Sequence, residues 1–385
     1  MTPGDAEIRK LPFNRPHTVG RELDYIREAI GNHHLSGDGG FTRRCHARLE
    51  ALLPGSRALL THSCTAALEM AAILADIRPG DEVIMPSFTF VSTANAFVLR
   101  GGVPVFVDIR PDTLNLDELL VDEAVTSRTR AIVPVHYAGV ACEMTALSAI
   151  AKRHGLVVIE DAAQGLLAAY HDRPVGTLGD LAALSFHETK NVIAGEGGAL
   201  IVNDPALIAR AEIIREKGTN RAQFFRGQID KYTWVDIGSS YLPSEVIAAF
   251  LLAQLEEAER LTEERLQIWR WYHAAFEHLE GKGLVQRPMV PPHCRHNGHM
   301  YYVLVADLAA RTRLITALQA RGVYAVFHYV PLHSSPAGRV YGRAHGRLDH
   351  TDAVSDRLVR LPFWIGMNAD DVAGVVALAG EVLTR

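Results

Sequence analysis

The sequence has few cysteines and no long apolar run, and each shortage excludes a class of protein. Only four of its 385 residues are cysteine, and no Cys-x-x-Cys pair occurs, which disfavours a disulfide scaffold, a zinc ribbon and a redox dithiol. No uncharged apolar stretch reaches the roughly 18 residues of a membrane span. Residues 1–15 lack the apolar segment of a secretory signal. We therefore expect a cytoplasmic protein with reduced thiols and no membrane contact.

Positive charge is also in short supply. The chain has 39 Lys and Arg against 44 Asp and Glu, a formal net charge of -5, so nucleic acid is not an expected partner. Lysine itself is rare, which leaves few candidates if the chemistry requires one. The lysines are Lys10, Lys152, Lys190, Lys217, Lys231 and Lys282.

What the sequence does contain is a regular alternation of short apolar runs and amphipathic stretches. Runs such as 57–61 and 103–107 are separated by stretches such as 65–75 and 144–154. Apolar strands separated by helices predict a mostly parallel sheet buried between helices, which is an α/β fold. Further strands are predicted at 82–85, 131–135, 156–160, 184–186 and 199–202, and a further helix at 93–99.

The pattern changes near Ser244. Residues 245–279 form one or two amphipathic helices with an acidic face, and beyond them strands and helices alternate on a smaller scale. We therefore predict a large domain over residues 1–250 and a smaller C-terminal α+β domain over residues 251–385.

A candidate anion site lies at residues 61–68 (THSCTAAL), where a strand leads into a helix through small and hydroxylated side chains. Free backbone N–H groups and the dipole at a helix N-terminus bind anions. The hydroxyls of Ser63 and Thr65 are placed to add donors. An ordinary helix cap without a ligand is the alternative interpretation.

A carboxylate and a lysine each follow a predicted strand. Asp161 directly follows the run 156–160, with Gln164 three residues later, and Lys190 follows the run 184–186. Ligands of such sheets bind beyond the carboxyl ends of strands, and a lysine in a desolvated pocket has a lowered pKa and forms Schiff bases. A loop-capping acid and a surface lysine are the alternatives.

The residues around Lys190 do not match two other functional motifs. His187 and Glu188 do not complete His-Glu-x-x-His because residue 191 is Asn, so no metal site is predicted. Gly195, Gly197 and Gly198 do not form Gly-x-Gly-x-x-Gly before a helix, which disfavours a nicotinamide-dependent oxidoreductase.

The turn, the acid and the lysine together are what pyridoxal 5′-phosphate requires. The turn would bind the phosphate, with the hydroxyl of Ser185 as a further donor. The acid would keep the pyridine nitrogen protonated, and the lysine would bind the aldehyde. Phe88 and Phe90, which follow the strand at 82–85, are candidates to cover the ring.

Long unbroken segments of the sequence resemble the sugar-nucleotide aminotransferases, which are fold-type-I pyridoxal phosphate enzymes. Within that family the similarity is to transaminases that form dTDP-4-amino-4,6-dideoxygalactose. The resemblance implies a mostly parallel seven-stranded sheet and a homodimer with shared active sites. The segments that carry it are 37–45 (GDGGFTRRC), 81–100, 133–143, 185–191 and 211–241.

The resemblance also implies roles for individual residues. Lys190 matches the Schiff-base lysine, Asp161 the acid at the pyridine nitrogen, and Gln164 a contact to the ring hydroxyl. The other implied cofactor contacts are Cys64, Thr65 and Ala66 in the phosphate turn, Ser185 beside it, Phe90 on the ring, and Ser240 from the second subunit, where many relatives have asparagine. Residues 327–333 resemble a segment that faces the pocket in relatives, which makes His328 a candidate substrate contact; a structural histidine is the alternative. The stretch 217–226 is basic and aromatic, which makes Arg221 and Arg226 candidates to contact the nucleotide diphosphate; surface residues are the alternative.

The implied activity is amino transfer from L-glutamate to the 4-keto carbon of a dTDP-4-keto-6-deoxyhexose, with pyridoxamine 5′-phosphate as the intermediate form of the cofactor. The galactose-configured product is favoured. Two alternatives stay open: the same chemistry on a keto pentose or another deoxysugar of an antibiotic pathway, and a non-catalytic relative.

Overall fold

The computed structural model describes residues 10–384, which form thirteen strands and fourteen α-helices. The strands are β1 (Arg57–Thr61), β2 (Glu82–Pro86), β3 (Val103–Val107), β4 (Thr129–Ile132), β5 (Val157–Asp161), β6 (Ala169–Tyr170), β7 (Arg173–Pro174), β8 (Leu181–Ser185), β9 (Gly198–Val202), β10 (Cys294–Arg295), β11 (Tyr302–Leu304), β12 (Arg343–Ala344) and β13 (Leu358–Arg360).

Helices separate most of the longer strands in the first half of the described chain. They are α1 (Glu22–Gly31), α2 (Gly40–Leu52), α3 (Cys64–Leu74), α4 (Val91–Val98), α5 (Glu118–Ala124), α6 (Met144–His154), α7 (Ile208–Arg215), α8 (Arg221–Phe225), α9 (Glu245–Glu256), α10 (Ala258–Glu280), α11 (Leu308–Ala320), α12 (Pro336–Tyr341), α13 (Asp349–Arg357) and α14 (Ala369–Leu383).

The main sheet has the order β1-β9-β8-β5-β4-β2-β3-β12. Strand β9 is antiparallel to β1 and β8, and the remaining neighbours are parallel. The predicted α/β fold with a mostly parallel sheet is confirmed, but the sheet has eight strands rather than the seven that the resemblance implied. The sequence did not indicate the eighth strand, β12, whose two residues join the sheet edge from the C-terminal part of the chain.

Apolar side chains cover both faces of this sheet because successive residues of a strand point to opposite faces. In β1, Ala58 and Leu60 join the apolar cluster under α1, α2, α6 and α9, whereas Leu59 joins the cluster under α3, α4 and α7. A strand buried in this way can expose polar side chains only at its ends.

The helical pattern at 245–279 is two helices, α9 and α10. Residues of α9 and Ala258 pack in the core of the main sheet. A third apolar cluster takes residues from Ile268 to Ala379 and also Leu11. The predicted domain boundary at residue 250 stays a prediction, and the change between apolar clusters falls inside α10.

The four cysteines are free, with Cys45 and Cys142 buried. None of the helices described between residues 10 and 384 is both long and apolar enough to cross a membrane.

Glu82 ties the C-terminal segment to the sheet. Its carboxylate is 1% exposed and accepts hydrogen bonds from Thr126 Oγ1, Arg128 Nη2 and two nitrogens of Arg343, the residue that begins β12. Burial alone raises the pKa of this carboxyl, but the hydrogen bonds from Arg343, Arg128 and Thr126 outweigh burial and lower the pKa to about 2.

We predict that Glu82→Gln destabilises the protein by about 3 kcal/mol at pH 7, because the lowered pKa stabilises the folded state by that order. This contribution is present above the pKa of the unfolded carboxyl and is lost as pH falls toward the folded value. The difference in the free energy of unfolding between wild type and variant, measured with denaturant, should decrease from pH 5 to pH 3. Glu263→Gln, at a side chain 65% exposed, is the matched control, and a pH-independent gap would contradict the account.

Candidate active site

A cavity of about 610 Å³ lies where the carboxyl ends of β1, β2, β5 and β8 meet. These four strands run in the same direction, so the residues that follow them reach one edge of the sheet. Helices α3 and α4 begin at the cavity, Asp161 ends β5, and Lys190 follows β8 by five residues. The predicted site residues that line it are Cys64, Thr65, Phe90, Asp161, Gln164, Ser185, Lys190 and His328.

Asp161 is 5% exposed and is held by two hydrogen bonds. Its Oδ2 accepts from Thr93 Oγ1 at 2.7 Å, and its Oδ1 accepts from the backbone N–H of Ala163 at 3.2 Å. Thr93 is itself hydrogen-bonded to Thr89 at 2.8 Å. The carboxylate is therefore fixed in orientation while it lines the cavity.

Lys190 lies across the same cavity in a turn closed by a 2.9 Å hydrogen bond from its N–H to the carbonyl of His187. Burial lowers the pKa of its amine, and the Arg360 guanidinium lowers it further, whereas Cys64 and Asp161 act in the opposite direction. The net lowering increases the fraction of neutral amine, which is the nucleophilic form.

The turn before α3 contains an N-cap residue, and backbone N–H groups without an intrahelical partner follow it. Ser63 is the N-cap residue, and its Oγ accepts from the N–H of Ala66 at 3.1 Å. Ala66 is therefore already bonded, so the N–H groups of the first helical residues, Cys64 and Thr65, are those free of an intrahelical partner. Thr65 Oγ1 lies 2.8 Å from Ser92 Oγ at the start of α4, and both residues line the cavity. The arrangement suits an anion.

Of the two candidate phenylalanines, only Phe90 is accessible. Phe90 is 58% exposed and lines the cavity, whereas Phe88 is 1% exposed and packs 5.2 Å from the ring of Tyr137. Phe90 therefore remains the candidate to cover a bound ring.

Gln164 and His328 are both anchored by neighbours. Gln164 Oε1 accepts from the N–H of Ala138 at 2.7 Å, and its Nε2 donates to Tyr329 Oη at 3.2 Å. His328 Nδ1 lies 2.9 Å from Tyr137 Oη. Burial lowers the pKa of His328, and the cations Arg360 and Lys190 lower it further. The imidazole is therefore neutral at pH 7.

Ala66 does not line the cavity, and its predicted contact stays a prediction. Three further predicted residues also lie outside the lining of this cavity within one chain. Ser240 is exposed and pairs through its backbone with Glu216. Arg221 lies 3.6 Å from a carboxylate oxygen of Glu216, and Arg226 lies 2.9 Å from one of Glu212. Their roles stay predictions that depend on a second subunit.

Thr93, Tyr329 and Arg360 are among the residues of the cavity lining that the sequence interpretation missed. Thr93 and Tyr329 hold Asp161 and Gln164, and Arg360 of β13 reaches the cavity from the C-terminal part of the chain. Thr93 falls inside the segment 81–100 that carried the family resemblance. No pattern around Arg360 distinguished it from other arginines.

The fold and the cavity define a class, the pyridoxal phosphate-dependent aminotransferases. The model of the DegT/DnrJ/EryC1/StrS aminotransferase family matches residues 16–379. The chain belongs to this family, which confirms the predicted family and the predicted cofactor.

Characterised relatives and solved structures resemble the chain over nearly all its length. GDP-perosamine synthase of Caulobacter vibrioides is 32% identical over 98% of this chain and 100% of its own. The structure of DesV from S. venezuelae in complex with a ketimine intermediate has a TM-score of 0.88 at 29% identity, covering 98% of this chain and 99% of its own. DesI, solved in the presence of its TDP-sugar product, has a TM-score of 0.87 at 31% identity. The match covers 98% of this chain and 94% of the DesI chain.

The residues of the cavity fit pyridoxal phosphate. The donor set is a lysine amine with a lowered pKa, a buried carboxylate, and a helix start with two hydroxyls, each on a different element at the same sheet edge. These groups match the aldehyde, the pyridine nitrogen and the phosphate of the cofactor respectively.

We predict that Thr93→Val weakens cofactor binding by at least about tenfold, because it removes the hydrogen bond that orients Asp161, and a hydrogen bond to a charged group contributes about 1.5–3 kcal/mol. Thr93→Ser keeps the hydroxyl and should bind the cofactor as the wild type does. Titration of the cofactor-free protein with pyridoxal phosphate, followed by absorbance, measures both. Equal affinity of the valine variant and the wild type would show that Thr93 does not support Asp161.

Proposed function

We propose that this aminotransferase moves an amino group from L-glutamate to the 4-keto carbon of a dTDP-linked 6-deoxyhexose, giving the galactose-configured 4-amino sugar. The observation that carries the proposal is the convergence of Lys190, Asp161 and the α3 turn on one cavity. The names of the relatives support a sugar substrate, since one is a GDP-perosamine synthase and another was solved with a TDP-sugar product.

The side chains divide the work between binding and proton transfer. When bound, pyridoxal phosphate supplies an electron sink for the carbon that loses its proton. The Lys190 amine would hold the aldehyde and, when free, would serve as general base and acid for the proton of the donor α-carbon. Asp161 would accept a hydrogen bond from the pyridine N–H and so would keep that nitrogen charged.

The nucleotide sugar of the proposed reaction is a dTDP-linked hexose. Relatives of similar identity are named for GDP and TDP sugars. The dTDP-linked hexose is favoured by the segments that resemble transaminases of that substrate. A keto pentose or another deoxysugar is the alternative, and a panel of substrates separates them.

The catalytic assignment predicts that Lys190→Ala abolishes amino transfer and leaves the fold intact. The variant loses the only described amine that lines the cavity. The assay follows the amino-sugar product from dTDP-, GDP- and UDP-linked 4-keto sugars with L-glutamate, and thermal unfolding checks the fold. Lys282→Ala, at an exposed lysine, is the control.

Retained transaminase activity in Lys190→Ala would refute the assignment. A wild type that aminates none of the panel while binding no cofactor would favour the non-catalytic alternative. If the wild type prefers a GDP- or UDP-linked sugar, only the proposed substrate changes and the catalytic assignment is kept.

We infer that the enzyme is a homodimer whose subunits complete each other's active sites. The segment 216–240 supports this, because it exposes large apolar side chains that a monomer leaves in water, including Phe225 at 69% and Trp234 at 77%. The same segment carries Ser240, Arg221 and Arg226, which lie outside the cavity of their own chain.

We predict that Trp234→Asp produces a monomer and lowers amino transfer at least tenfold, because a buried unpaired carboxylate at an interface costs several kcal/mol. Sedimentation velocity measures the mass of the assembly, and titration with pyridoxal phosphate measures the cofactor affinity of the active site. Leu119→Asp is the matched control, since Leu119 is 76% exposed and lies outside this segment. A dimeric Trp234→Asp variant would contradict the assignment of this surface.

A further inference from the structure

His299 is a buried residue of the cavity to which the proposed chemistry gives no role. Its side chain lines the cavity that contains Lys190 and is 5% exposed. It lies between α10 and β11, in the C-terminal part of the chain. A residue distant in sequence therefore faces the site where the lysine acts.

The backbone of His299 is fixed against α10. Arg265 of that helix donates from its Nε to the carbonyl of Gly298 at 3.1 Å and from its Nη2 to the carbonyl of His299 at 2.6 Å. A Cβ at Gly298 would lie 2.9 Å from the backbone nitrogen of Leu266, and the φ of Gly298, +60°, favours glycine. The close approach to the helix leaves His299 little freedom to shift.

The imidazole joins this fixed segment to the neighbour of Lys190. His299 Nδ1 lies 3.0 Å from Oδ1 of Asn191, the residue that directly follows the lysine. Asn191 Nδ2 donates to the carbonyl of Asn297 at 2.8 Å. The amide nitrogen of Asn191 is therefore the donor on one side and its oxygen the acceptor on the other, so His299 Nδ1 carries the hydrogen.

The surroundings keep this histidine neutral. Burial lowers the pKa of His299 well below its usual value, and positively charged or titratable neighbours lower it further, namely Lys190, Arg265, Arg360 and His328. At pH 7 the ring is thus uncharged, with its one hydrogen on Nδ1. It is a directional donor that adds no charge beside the reacting amine.

We propose that His299 positions Lys190, because its hydrogen bond to Asn191 fixes the main chain from which the lysine reaches the cofactor. The inference rests on the proposed function, in which the Lys190 amine binds the aldehyde. A lysine side chain has many rotamers, and ordering it costs up to about 2 kcal/mol. A fixed main chain limits the volume that the amine explores and so favours its bond to the cofactor.

The two forms of the cofactor separate this role from a general contribution to the fold. Pyridoxal phosphate forms a covalent bond with the lysine, whereas pyridoxamine phosphate has an amine in place of the aldehyde and binds without that bond. The placement of Lys190 therefore affects the affinity for pyridoxal phosphate much more than the affinity for pyridoxamine phosphate.

The experiment compares the cofactor-free wild type with three single variants. His299→Phe keeps a ring and removes the donor, His299→Asn keeps a donor near the position of Nδ1, and Asn191→Leu removes the acceptor. His278→Phe is the matched control, since His278 is exposed and its Nδ1 lies 2.8 Å from the carbonyl of Ala275.

Visible absorbance follows the titration of each protein with pyridoxal phosphate, and calorimetry measures the affinity for pyridoxamine phosphate. The double variant of His299→Phe and Asn191→Leu completes a cycle. Thermal unfolding identifies any variant that fails to fold.

We expect His299→Phe to lower the affinity for pyridoxal phosphate about tenfold, because it leaves Asn191 Oδ1 unpaired in the interior. The affinity for pyridoxamine phosphate should change less than about twofold. His299→Asn should bind pyridoxal phosphate nearly as the wild type does. Asn191→Leu should match His299→Phe, and the double variant should lose no more than either single variant.

An equal loss of affinity for both cofactor forms would show a purely structural role and overturn the proposal, as would unchanged pyridoxal phosphate affinity in His299→Phe. Additive losses in the double variant would also overturn it, because His299 would then not act through Asn191. A wild type that binds pyridoxal phosphate in a His299-dependent way but takes no amino group from L-glutamate would refute the proposed function while supporting the positioning role.

Discussion

The parallel direction of β1, β2, β5 and β8 is the constraint on which the active site depends. Both faces of the sheet are packed with apolar side chains, and the polar side chains of the cavity lie where strands end. Parallel strands end at one edge, so Cys64, Asp161 and Lys190 meet although they are far apart in the chain. The cofactor site follows from the sheet rather than from a local motif.

Positive charge without bonded carboxylates determines the chemistry at the carboxyl edge of the sheet. Asp161 is satisfied by Thr93 and Ala163, whereas Lys190 and Arg360 line the cavity with no described carboxylate bonded to either. The helix starts of α3 and α4 add partial positive charge. Another acid of the lining, Glu196, has a side chain 71% exposed and lies at the rim. The interior therefore attracts anions, which is what a cofactor phosphate and an amino-acid carboxylate are.

Local sequence patterns predicted the parts of the fold that local forces decide. Strands β1 and β3 and helix α6 occupy their predicted residues, because apolar runs and helical periodicity are read within one element. The strand predicted at 131–135 instead ends at Ile132, and the one predicted at 184–186 begins at Leu181. Those ends are set by pairing with neighbouring strands, which the local pattern does not contain.

The same distinction applies to the site. Asp161 and Lys190 follow apolar strands and were therefore recognisable, whereas Thr93 and Arg360 act through contacts with residues distant in sequence. Ser240, Arg221 and Arg226 lie outside the cavity of their own chain, and a role for them requires a second chain. Tertiary and quaternary contacts are the part that a single sequence encodes least directly.

The most direct test of the central claim is the visible absorption spectrum of the purified protein, with pyridoxal phosphate added, before and after L-glutamate. The account predicts a yellow band from cofactor linked to Lys190 that fades when the amino group is transferred. A colourless protein that takes up no cofactor would contradict it, because the convergence of Lys190, Asp161 and the α3 turn would then serve some other purpose.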